Sequence, residues 1–250
     1  MLRVDLNSDL GEAMGDDEAM LGIVSSANIA CGFHAGNAMV MTHTVQAALA
    51  KGVGIGAHPG YADLEGFGRR PMALSSAEIE AIMAYQIGAL QGIAKAHNAM
   101  VRHVKPHGAL SNLAAIDLEV ALSVARAIHA SDPGLIFLAP AGSAMVTAGH
   151  KLGLFVAEEV FADRNYDDHG NLVPRSHPQA MVHDPNQAAA NVLRMVTQGL
   201  LRSVNGKDIP CRAQSVCVHG DDTNAVTLAR HLRETLTAAG VDIVPLAGLA

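Results

Sequence analysis

The sequence predicts an α/β protein built from buried parallel strands and covering helices. Eight short apolar runs alternate with six helix-length segments along the 250 residues. Such alternation is typical of a parallel sheet, either open or closed into a barrel. Half of the residues are hydrophobic but only 3% are aromatic, so aliphatic side chains must form the core. No linker or low-complexity stretch divides the chain, and we expect a single domain over residues 1–250.

Capping and turn signals place the elements along the chain. Ser75 and Glu78 form a capping-box pattern, and Pro185 precedes another helical segment. We expect strands near residues 3–6, 27–30, 53–57, 103–105, 135–138, 155–158, 215–218 and 242–244. We expect helices over residues 38–51, 77–97, 117–130, 143–152, 186–201 and 223–239.

One segment, residues 161–184, interrupts this alternation. It is polar and irregular, with two prolines and six charged residues. Irregular loops of this length inside a compact domain are usually functional. We therefore expect a lid or a substrate clamp in this segment.

Charge and cysteine content narrow the class of protein. The formal net charge is −7 and no run of five like charges occurs, which argues against nucleic-acid and anionic-membrane partners. The three cysteines form no CxxC pair, which favours free thiols in a reducing compartment. No apolar stretch reaches the roughly 18 residues of a membrane span, and the start turns polar within five residues, unlike a signal peptide. We expect a soluble, cytoplasmic protein.

Clusters of glycine and ionisable residues follow the early strands. Because the carboxyl ends of parallel strands meet on one face, we expect the clusters to form one site. The first cluster combines three carboxylates with Asn7, and suits a cation, an acid/base pair or substrate amides. The clusters cover residues 5–12, 28–37, 56–61 with 66–71, 103–108 and 218–222.

Individual residues in these clusters suggest distinct roles. His34 lies between two glycines, and His58 closes an apolar strand, so both are placed for catalysis. Lys105 lies between Val104 and Pro106, and Lys105 and His107 should point to the same side of the chain. These four side chains are therefore candidates for the active site.

Other polar residues leave alternatives open. Arg69 and Arg70 suit a carboxylate or phosphate, although a surface salt bridge would also explain them. Asp221 is suited to orient His219 or to bind water. Asn37 fits a helix N-cap better than a ligand. The histidines outside the clusters, such as His129, are expected to be structural or at the surface.

Common nucleotide motifs are missing from the sequence. Neither GxxxxGK[ST] nor GxSxG occurs, and the GxGxxA match at residues 52–57 lies in a strand. If the protein uses ATP, this chain alone lacks the common means of holding it.

Six blocks, DLNSDLGE, SANIACGFHAGN, GAHPGY with GFGRRP, HVKPHGAL, EVFADRNYDDHGNLVPR and VHGDD, resemble the signature of the LamB/YcsF family. They occur in family order from residue 5 to about residue 224. The resemblance implies a seven-stranded, distorted TIM-like β/α barrel of the glycoside hydrolase/deacetylase type. It also implies ATP-dependent opening of 5-oxo-L-proline to L-glutamate, with B and C subunits as partners, and with the magnesium-bound ATP held by the complex.

The resemblance also assigns site residues, block by block. The catalytic candidates are Asp9, Glu12, His34, His58, Lys105, His107, His219 and Asp221. The substrate-binding candidates are Asn7, Asn28, Arg69, Arg70 and Arg175, with the arginines as anion binders.

Two alternatives remain open at this stage. The first is a metal-dependent amide hydrolase without ATP, with Asp9, His34 and His58 as ligands, since two histidines and a carboxylate leave positions open for water. The second is a non-catalytic scaffold for partner subunits. The concentration of ionisable groups at strand ends argues against a scaffold.

Overall fold

Seven parallel strands close into a barrel in the computed structural model, which describes residues 2–219 and 224–250. The strands are β1 (Leu2–Leu10), β2 (Ser26–Ala30), β3 (Gly54–His58), β4 (Val101–Val104), β5 (Ile136–Pro140), β6 (Val156–Phe161), β7 (Leu200–Arg202), β8 (Asp208–Pro210), β9 (Ser215–Cys217) and β10 (Val241–Ile243). The barrel order is β1-β2-β3-β4-β5-β6-β9, and β9 pairs with β1 to close it. The predicted barrel and its number of strands are confirmed.

Within residues 2–219 and 224–250, all six expected helices are present, and two further α-helices and a 3-10 helix (Leu246–Gly248) occur. The helices are α1 (Asp17–Leu21), α2 (Ala38–Ala50), α3 (Ser76–Ala96), α4 (Gly108–Ile116), α5 (Leu118–Ser131), α6 (Ala144–Lys151), α7 (Pro185–Gln198) and α8 (Ala225–Ala238). The two α-helices that were not predicted are α1, which is one short turn, and α4. The missed α4 begins at Gly108, in the left-handed region at φ +58°, without a capping side chain.

The helix boundaries follow the capping chemistry. Ser75 and Glu78 form the expected capping box at the start of α3, and the Asn37 side chain caps α2. The seventh helix ends three residues earlier than predicted, because Gly199 adopts a left-handed C-cap at φ +66°. The residues beyond Gly199 form the antiparallel hairpin of β7 and β8, which the sequence analysis also missed.

Side chains alternate along each strand between the apolar layer under the helices and the interior of the barrel. In β1, Leu6 and Leu10 belong to the apolar core between barrel and helices. Asp5, Asn7 and Asp9 lie on the other face of the strand, where they contact the side chains of Ser215, Glu159 and Lys105, respectively. The barrel interior is therefore polar near β1.

Within the described residues, no single helix is long and apolar enough to cross a membrane. Taken together, α4 and α5 meet the length and composition of a span, but they are bent by 119° at their junction.

Candidate active site

A hydrogen-bonded network fills the barrel beneath the site. The Asn7 amide donates to Glu159 Oε1 at 2.9 Å, and the Asn28 amide donates to Asp9 Oδ1 at 2.8 Å. The His103 ring bonds to Asn28 Oδ1 at 2.8 Å, and burial lowers the pKa of His103 to about 3. Asn7 and Asn28, the predicted substrate binders, are fully buried and use their amides to hold these acidic groups.

Above this network, Lys105 forms what we call the lysine cluster with Asp9, Glu159 and Cys217. The Lys105 Nζ atom lies 3.0 Å from Asp9 Oδ1, 3.0 Å from Glu159 Oε1 and 3.1 Å from Cys217 Sγ. Lys105 is 5% exposed. Burial alone would lower the pKa of Lys105, but the carboxylates of Asp9 and Glu159 and the sulfur of Cys217 raise it well above its usual range. Lys105 is thus a fixed ammonium group.

The two carboxylates of the lysine cluster are not equivalent. Burial alone would raise the pKa of Asp9, but His58 and Lys105 lower it well below its usual range. Burial raises the pKa of Glu159, and Lys105 only partly offsets the effect. Asp9 is therefore the stronger counter-ion of Lys105 in this cluster.

Beside the lysine cluster, Glu12, His34, His58 and His107 form what we call the histidine cluster. The Glu12 Oε1 atom lies 3.2 Å from His34 Nε2, 3.7 Å from His58 Nε2 and 3.6 Å from His107 Nδ1. The rings of His34 and His107 stack with centroids 3.8 Å apart. These side chains come from the ends of separate strands, as the sequence analysis predicted.

Backbone carbonyls fix the proton positions on two of these rings. His58 Nδ1 lies 2.7 Å from the carbonyl oxygen of Lys105, and His107 Nε2 lies 2.8 Å from that of Phe67. A carbonyl oxygen only accepts, so each ring must carry a proton on that nitrogen. The remaining nitrogens, His58 Nε2 and His107 Nδ1, are 2.9 Å apart. Two lone pairs cannot face each other at this distance, so a proton or a cation must lie between them.

A protonated His58 is one way to meet this requirement. Burial alone would lower the pKa of His58, but Asp9 and Glu12 raise it. Burial and the positive charge of His58 lower the pKa of His107, which then accepts the shared proton. The pair can thus hold and pass on one proton.

A divalent metal ion is the other way to satisfy these nitrogens. The donor atoms of Glu12, His34, His58 and His107 all lie within 4.8 Å of one another. Metal-binding histidines commonly donate their other ring N–H to a carbonyl or carboxylate, as His58 and His107 do here. The histidine cluster therefore fits a metal. A second group of potential ligands comprises Asp9, Cys217 and His219.

On the opposite side of the lysine cluster, His219 pairs with Asp163. Its Nδ1 atom lies 2.7 Å from Asp163 Oδ2, and its ring stacks on Phe161. Burial alone would lower the pKa of His219, but Asp163 raises it. Asp221, the predicted partner of His219, lies outside the described residues. In the structure, Asp163 orients His219, which is the role that was predicted for Asp221.

The three predicted arginines lie around the site rather than within it. Arg70 forms a bidentate ion pair with Asp63, and its side chain is 61% exposed. The Arg69 guanidinium lies over the Phe67 ring, 4.9 Å from its centroid. Arg175 is exposed and close enough to Asp163 to lower the pKa of that carboxyl.

Three residues of the site lie outside the set predicted from the sequence, namely Glu159, Asp163 and Cys217. Glu159 stands in an apolar run, where alternation would place one of two adjacent glutamates inside the barrel. Asp163 follows β6 by two residues and belongs to the segment predicted to be a lid. Cys217 precedes the VHGDD block by one residue, and nothing in its own surroundings distinguished it from a core thiol.

Together these groups can perform acid/base chemistry on a polar substrate. The ammonium of Lys105 can stabilise a developing negative charge, and His58 and His219 can each exchange a proton. The clusters are buried, so their electrostatic interactions are weakly screened by solvent. Such a site suits hydrolysis of an amide.

The resemblance to the LamB/YcsF family is confirmed by comparison with known proteins. The family model matches residues 4–250. A curated relative from Rhodopseudomonas palustris (strain BisB18), named as the A subunit of 5-oxoprolinase, is 54% identical, and the match covers 99% of this chain and 100% of the relative. A crystal structure of a lactam utilization protein from Thermus thermophilus is 44% identical with a TM-score of 0.93, covering 98% of this chain and 100% of that one.

More distant structures share the fold only. The catalytic domain of a peptidoglycan N-acetylglucosamine deacetylase from Eubacterium rectale ATCC 33656 has a TM-score of 0.53 at 11% identity. The match covers 97% of this chain and 87% of that one. This likeness extends the fold assignment to barrels of the deacetylase type.

Proposed function

The chain belongs to the LamB/YcsF family, and we propose that it opens 5-oxo-L-proline to L-glutamate at the expense of ATP, as the A component of a complex with B and C subunits. The observation that carries this proposal is the full-length similarity to a relative named as the A subunit of 5-oxoprolinase. The buried acid/base groups at the barrel mouth supply the chemistry that the reaction requires.

The substrate explains why ATP is needed. A five-membered lactam is stabilised by amide resonance, and its carbonyl carbon reacts poorly with water. Transfer of the terminal phosphoryl group of ATP to the amide oxygen breaks the phosphoanhydride bond and releases ADP. Water then adds to the ring carbon and the ring C–N bond breaks, which leaves an acyl phosphate of the opened product. A second water hydrolyses this acyl phosphate to the carboxylate and free phosphate, so each turnover consumes one ATP and two waters.

The site residues match the charges that this reaction creates. Lys105 would offset the negative charge on the lactam oxygen and the phosphoryl group. Glu12, beside the proton-sharing pair of His58 and His107, would take the proton of the attacking water. His219, oriented by Asp163, would deliver a proton to the ring nitrogen as it leaves.

The ATP, with its magnesium ion, would be held by the complex rather than by this chain alone. The missing phosphate-loop motif supports this assignment. We expect a reaction that uses ATP to take place in the cytoplasm, and the free cysteines Cys31, Cys211 and Cys217 support this expectation.

An assay of glutamate release from 5-oxo-L-proline tests the proposal. We expect turnover only when this chain, the B and C subunits and ATP are all present. Turnover by this chain without the other subunits, in a preparation shown to be free of them, would contradict the proposed division of labour.

A second candidate function is metal-dependent amide hydrolysis without ATP, which the histidine cluster favours. Glu12, His34, His58 and His107 would hold a divalent ion there, in place of the expected set Asp9, His34 and His58. Such an ion, when bound, lowers the pKa of a water ligand and polarises a carbonyl. Metal analysis of the purified protein, combined with lactam or acetamide hydrolysis in the absence of ATP, distinguishes the two candidates. Hydrolysis that requires ATP even in the metal-loaded protein would exclude the second.

A further inference from the structure

The segment of residues 63–70, between β3 and α3, packs against the histidine cluster. The Phe67 carbonyl oxygen accepts a hydrogen bond from His107 Nε2 at 2.8 Å, and the Phe67 ring meets the rings of His34 and His107 edge to face. Gly68 lies so close that a Cβ atom there would be 2.8 Å from His34 Cβ and 2.9 Å from His107 Cδ2. Segment 63–70 therefore forms one side of the histidine cluster.

Phe67 has a backbone conformation that residues with a Cβ atom seldom adopt. Its φ angle is +54°, in the left-handed region, where the Cβ atom lies too close to the following carbonyl oxygen. A residue stays in such a conformation only where its surroundings hold it there. A restraint on the residues beside Phe67 is therefore required.

The carboxylate of Asp63 provides this restraint. Asp63 is 6% exposed and accepts a hydrogen bond at 3.0 Å from the N–H of Gly66, the residue before Phe67. The same carboxylate pairs with the guanidinium of Arg70, three residues after Phe67, and we call this ion pair the Asp63–Arg70 clasp. The backbone of Asp63 adds to it, because its carbonyl oxygen accepts from the N–H of Gly68 at 2.9 Å. The planar peptide that joins Phe67 and Gly68 is thus fixed at its N–H, and with it the direction of its carbonyl group.

The direction of the Phe67 carbonyl determines the tautomer of His107. Because a carbonyl oxygen only accepts, it selects the form with the proton on Nε2 and leaves the Nδ1 lone pair facing His58 Nε2, 2.9 Å away. We propose that Asp63 is a positioning residue of the active site, which acts through the Asp63–Arg70 clasp to keep this lone pair of His107 directed into the histidine cluster. Its effect on turnover rests on the proposed function, whereas its effect on the tautomer does not.

NMR of the histidine ring nitrogens tests this role in the full chain, with a chelator present and without partner subunits. At about pH 8 an ordinary histidine is neutral, and the shifts of its two ring nitrogens show which of them carries the proton. The signals of His107 are assigned by their loss in His107→Gln. We expect the Nε2–H form in the wild type. In Asp63→Ala and in Arg70→Met, the ratio of the Nδ1–H form to the Nε2–H form should rise several-fold to roughly tenfold, as for the loss of one hydrogen bond.

Two further variants separate the clasp from a mere loss of charge. Glu65→Gln is the matched control, because the Glu65 carboxylate is 89% exposed and lies 3.6 Å from Arg70, outside the hydrogen bonds to Asp63. Its substitution should leave the ring signals unchanged. Arg70→Lys keeps a cation beside Asp63 but not the paired hydrogen bonds, so its ratio should lie between those of the wild type and Arg70→Met. Urea unfolding of each variant shows whether the chain is folded.

Unchanged ring signals in folded Asp63→Ala and Arg70→Met would overturn the proposal. If Asp63→Ala fails to fold, Arg70→Met alone decides, because the Arg70 side chain is 61% exposed and its loss should not unfold the chain. Unchanged ring signals together with a raised KM of Arg70→Met in the complete complex would assign Arg70 to substrate binding instead. A change of tautomer in the isolated chain supports the proposal even if the complete complex releases no glutamate, and only the proposed function would then fail.

Discussion

The histidine cluster and the lysine cluster lie side by side at the barrel mouth, but their charges are arranged differently. In the lysine cluster, a fixed ammonium group lies between two carboxylates, 3.0 Å from each. In the histidine cluster, burial lowers the pKa of His34 and His107, while nearby carboxylates raise that of His58. The first cluster therefore holds charge, and the second can move a proton or bind a cation.

This difference shows how one barrel supports two kinds of chemistry. Asp9 connects the clusters, since one of its oxygens contacts Lys105 and the other lies 3.3 Å from His58 Nε2. The fixed charge of Lys105 thus influences the histidines through Asp9. Substitutions that change one cluster without the other should separate charge stabilisation from proton transfer.

The largest effect is expected from Lys105→Met. It removes the ammonium group and leaves two buried carboxylates, so stability should fall by about 3–5 kcal/mol. Turnover by the complete complex should fall roughly 10²–10³-fold, as for loss of one transition-state donor. Adding Glu159→Gln removes one stranded charge and should restore much of the stability but not the turnover. Urea unfolding and glutamate release measure the two effects.

The result for Lys105 would be contradicted in either of two ways. Wild-type turnover in the Lys105→Met complex would remove the ammonium group from the mechanism. A double variant no more stable than the single one would show that Glu159 and Lys105 are not an energetic pair.

The next largest effect is expected from Asp163→Asn, which leaves both clusters intact and changes only the partner of His219. The carboxylate raises the pKa of His219, so its loss should lower that pKa. Turnover should fall roughly 10²-fold or more, the range for a general acid or base. Titration of the His219 ring by NMR, together with the pH profile of kcat, measures the change.

Asp184→Asn provides the matched control for this substitution. Asp184 caps α7 from an exposed position, and asparagine caps helices equally well. Equal pH profiles for Asp163→Asn and the wild type would show that Asp163 does not position His219.

An intermediate effect is expected on the pH dependence of stability, through Asp5. This carboxyl lies below both clusters and accepts hydrogen bonds from Ser25 and Ser215. Burial raises its pKa from 3.8 to about 6. Between pH 3.8 and about pH 6, the folded protein keeps a proton on Asp5 that the unfolded chain has released. The contribution of Asp5 to stability is therefore complete below pH 3.8 and is lost as the pH rises to about 6.

Asp5→Asn isolates this contribution, because an amide does not titrate. The unfolding free energy of the wild type minus that of the variant should fall by about 3 kcal/mol from about pH 3 to pH 7 and stay constant above. Urea unfolding at a series of pH values gives the difference. A difference that is constant, or that grows with pH, would show that Asp5 is ionised throughout.

Much of the fold could be predicted from the sequence because strand and helix signals are local. The eight expected strands and six expected helices are all present, since each depends on nearby apolar spacing and caps. The hairpin of β7 and β8 was missed because Gly199 stops α7 inside an apparently continuous helical pattern. The spacing of apolar residues does not show that a helix ends and the chain changes direction at one glycine.

Site residues could be predicted only where glycines or prolines beside them in the sequence mark the end of a strand. His34, His58 and His107 stand among glycines and prolines at strand ends, and the structure brings them together. Glu159 and Asp163 have no such neighbours, and their importance depends on Lys105 and His219, which are distant in sequence. Their roles follow from pairing across the barrel, which no local pattern contains.

The smallest effect is expected from His129→Ala. This substitution tests whether the loss of a histidine outside the site changes turnover or stability. His129 is exposed in the last turn of α5 and belongs to neither cluster. Its substitution should leave turnover unchanged and alter stability by no more than about 0.5 kcal/mol, as is usual at surface positions. Glutamate release and urea unfolding are measured beside the Asp163→Asn and Lys105→Met complexes. A loss of turnover comparable to that of Asp163→Asn would mean that turnover is sensitive to substitutions far from the site. The losses in Asp163→Asn and Lys105→Met could then not be attributed to proton transfer and charge stabilisation at the barrel mouth.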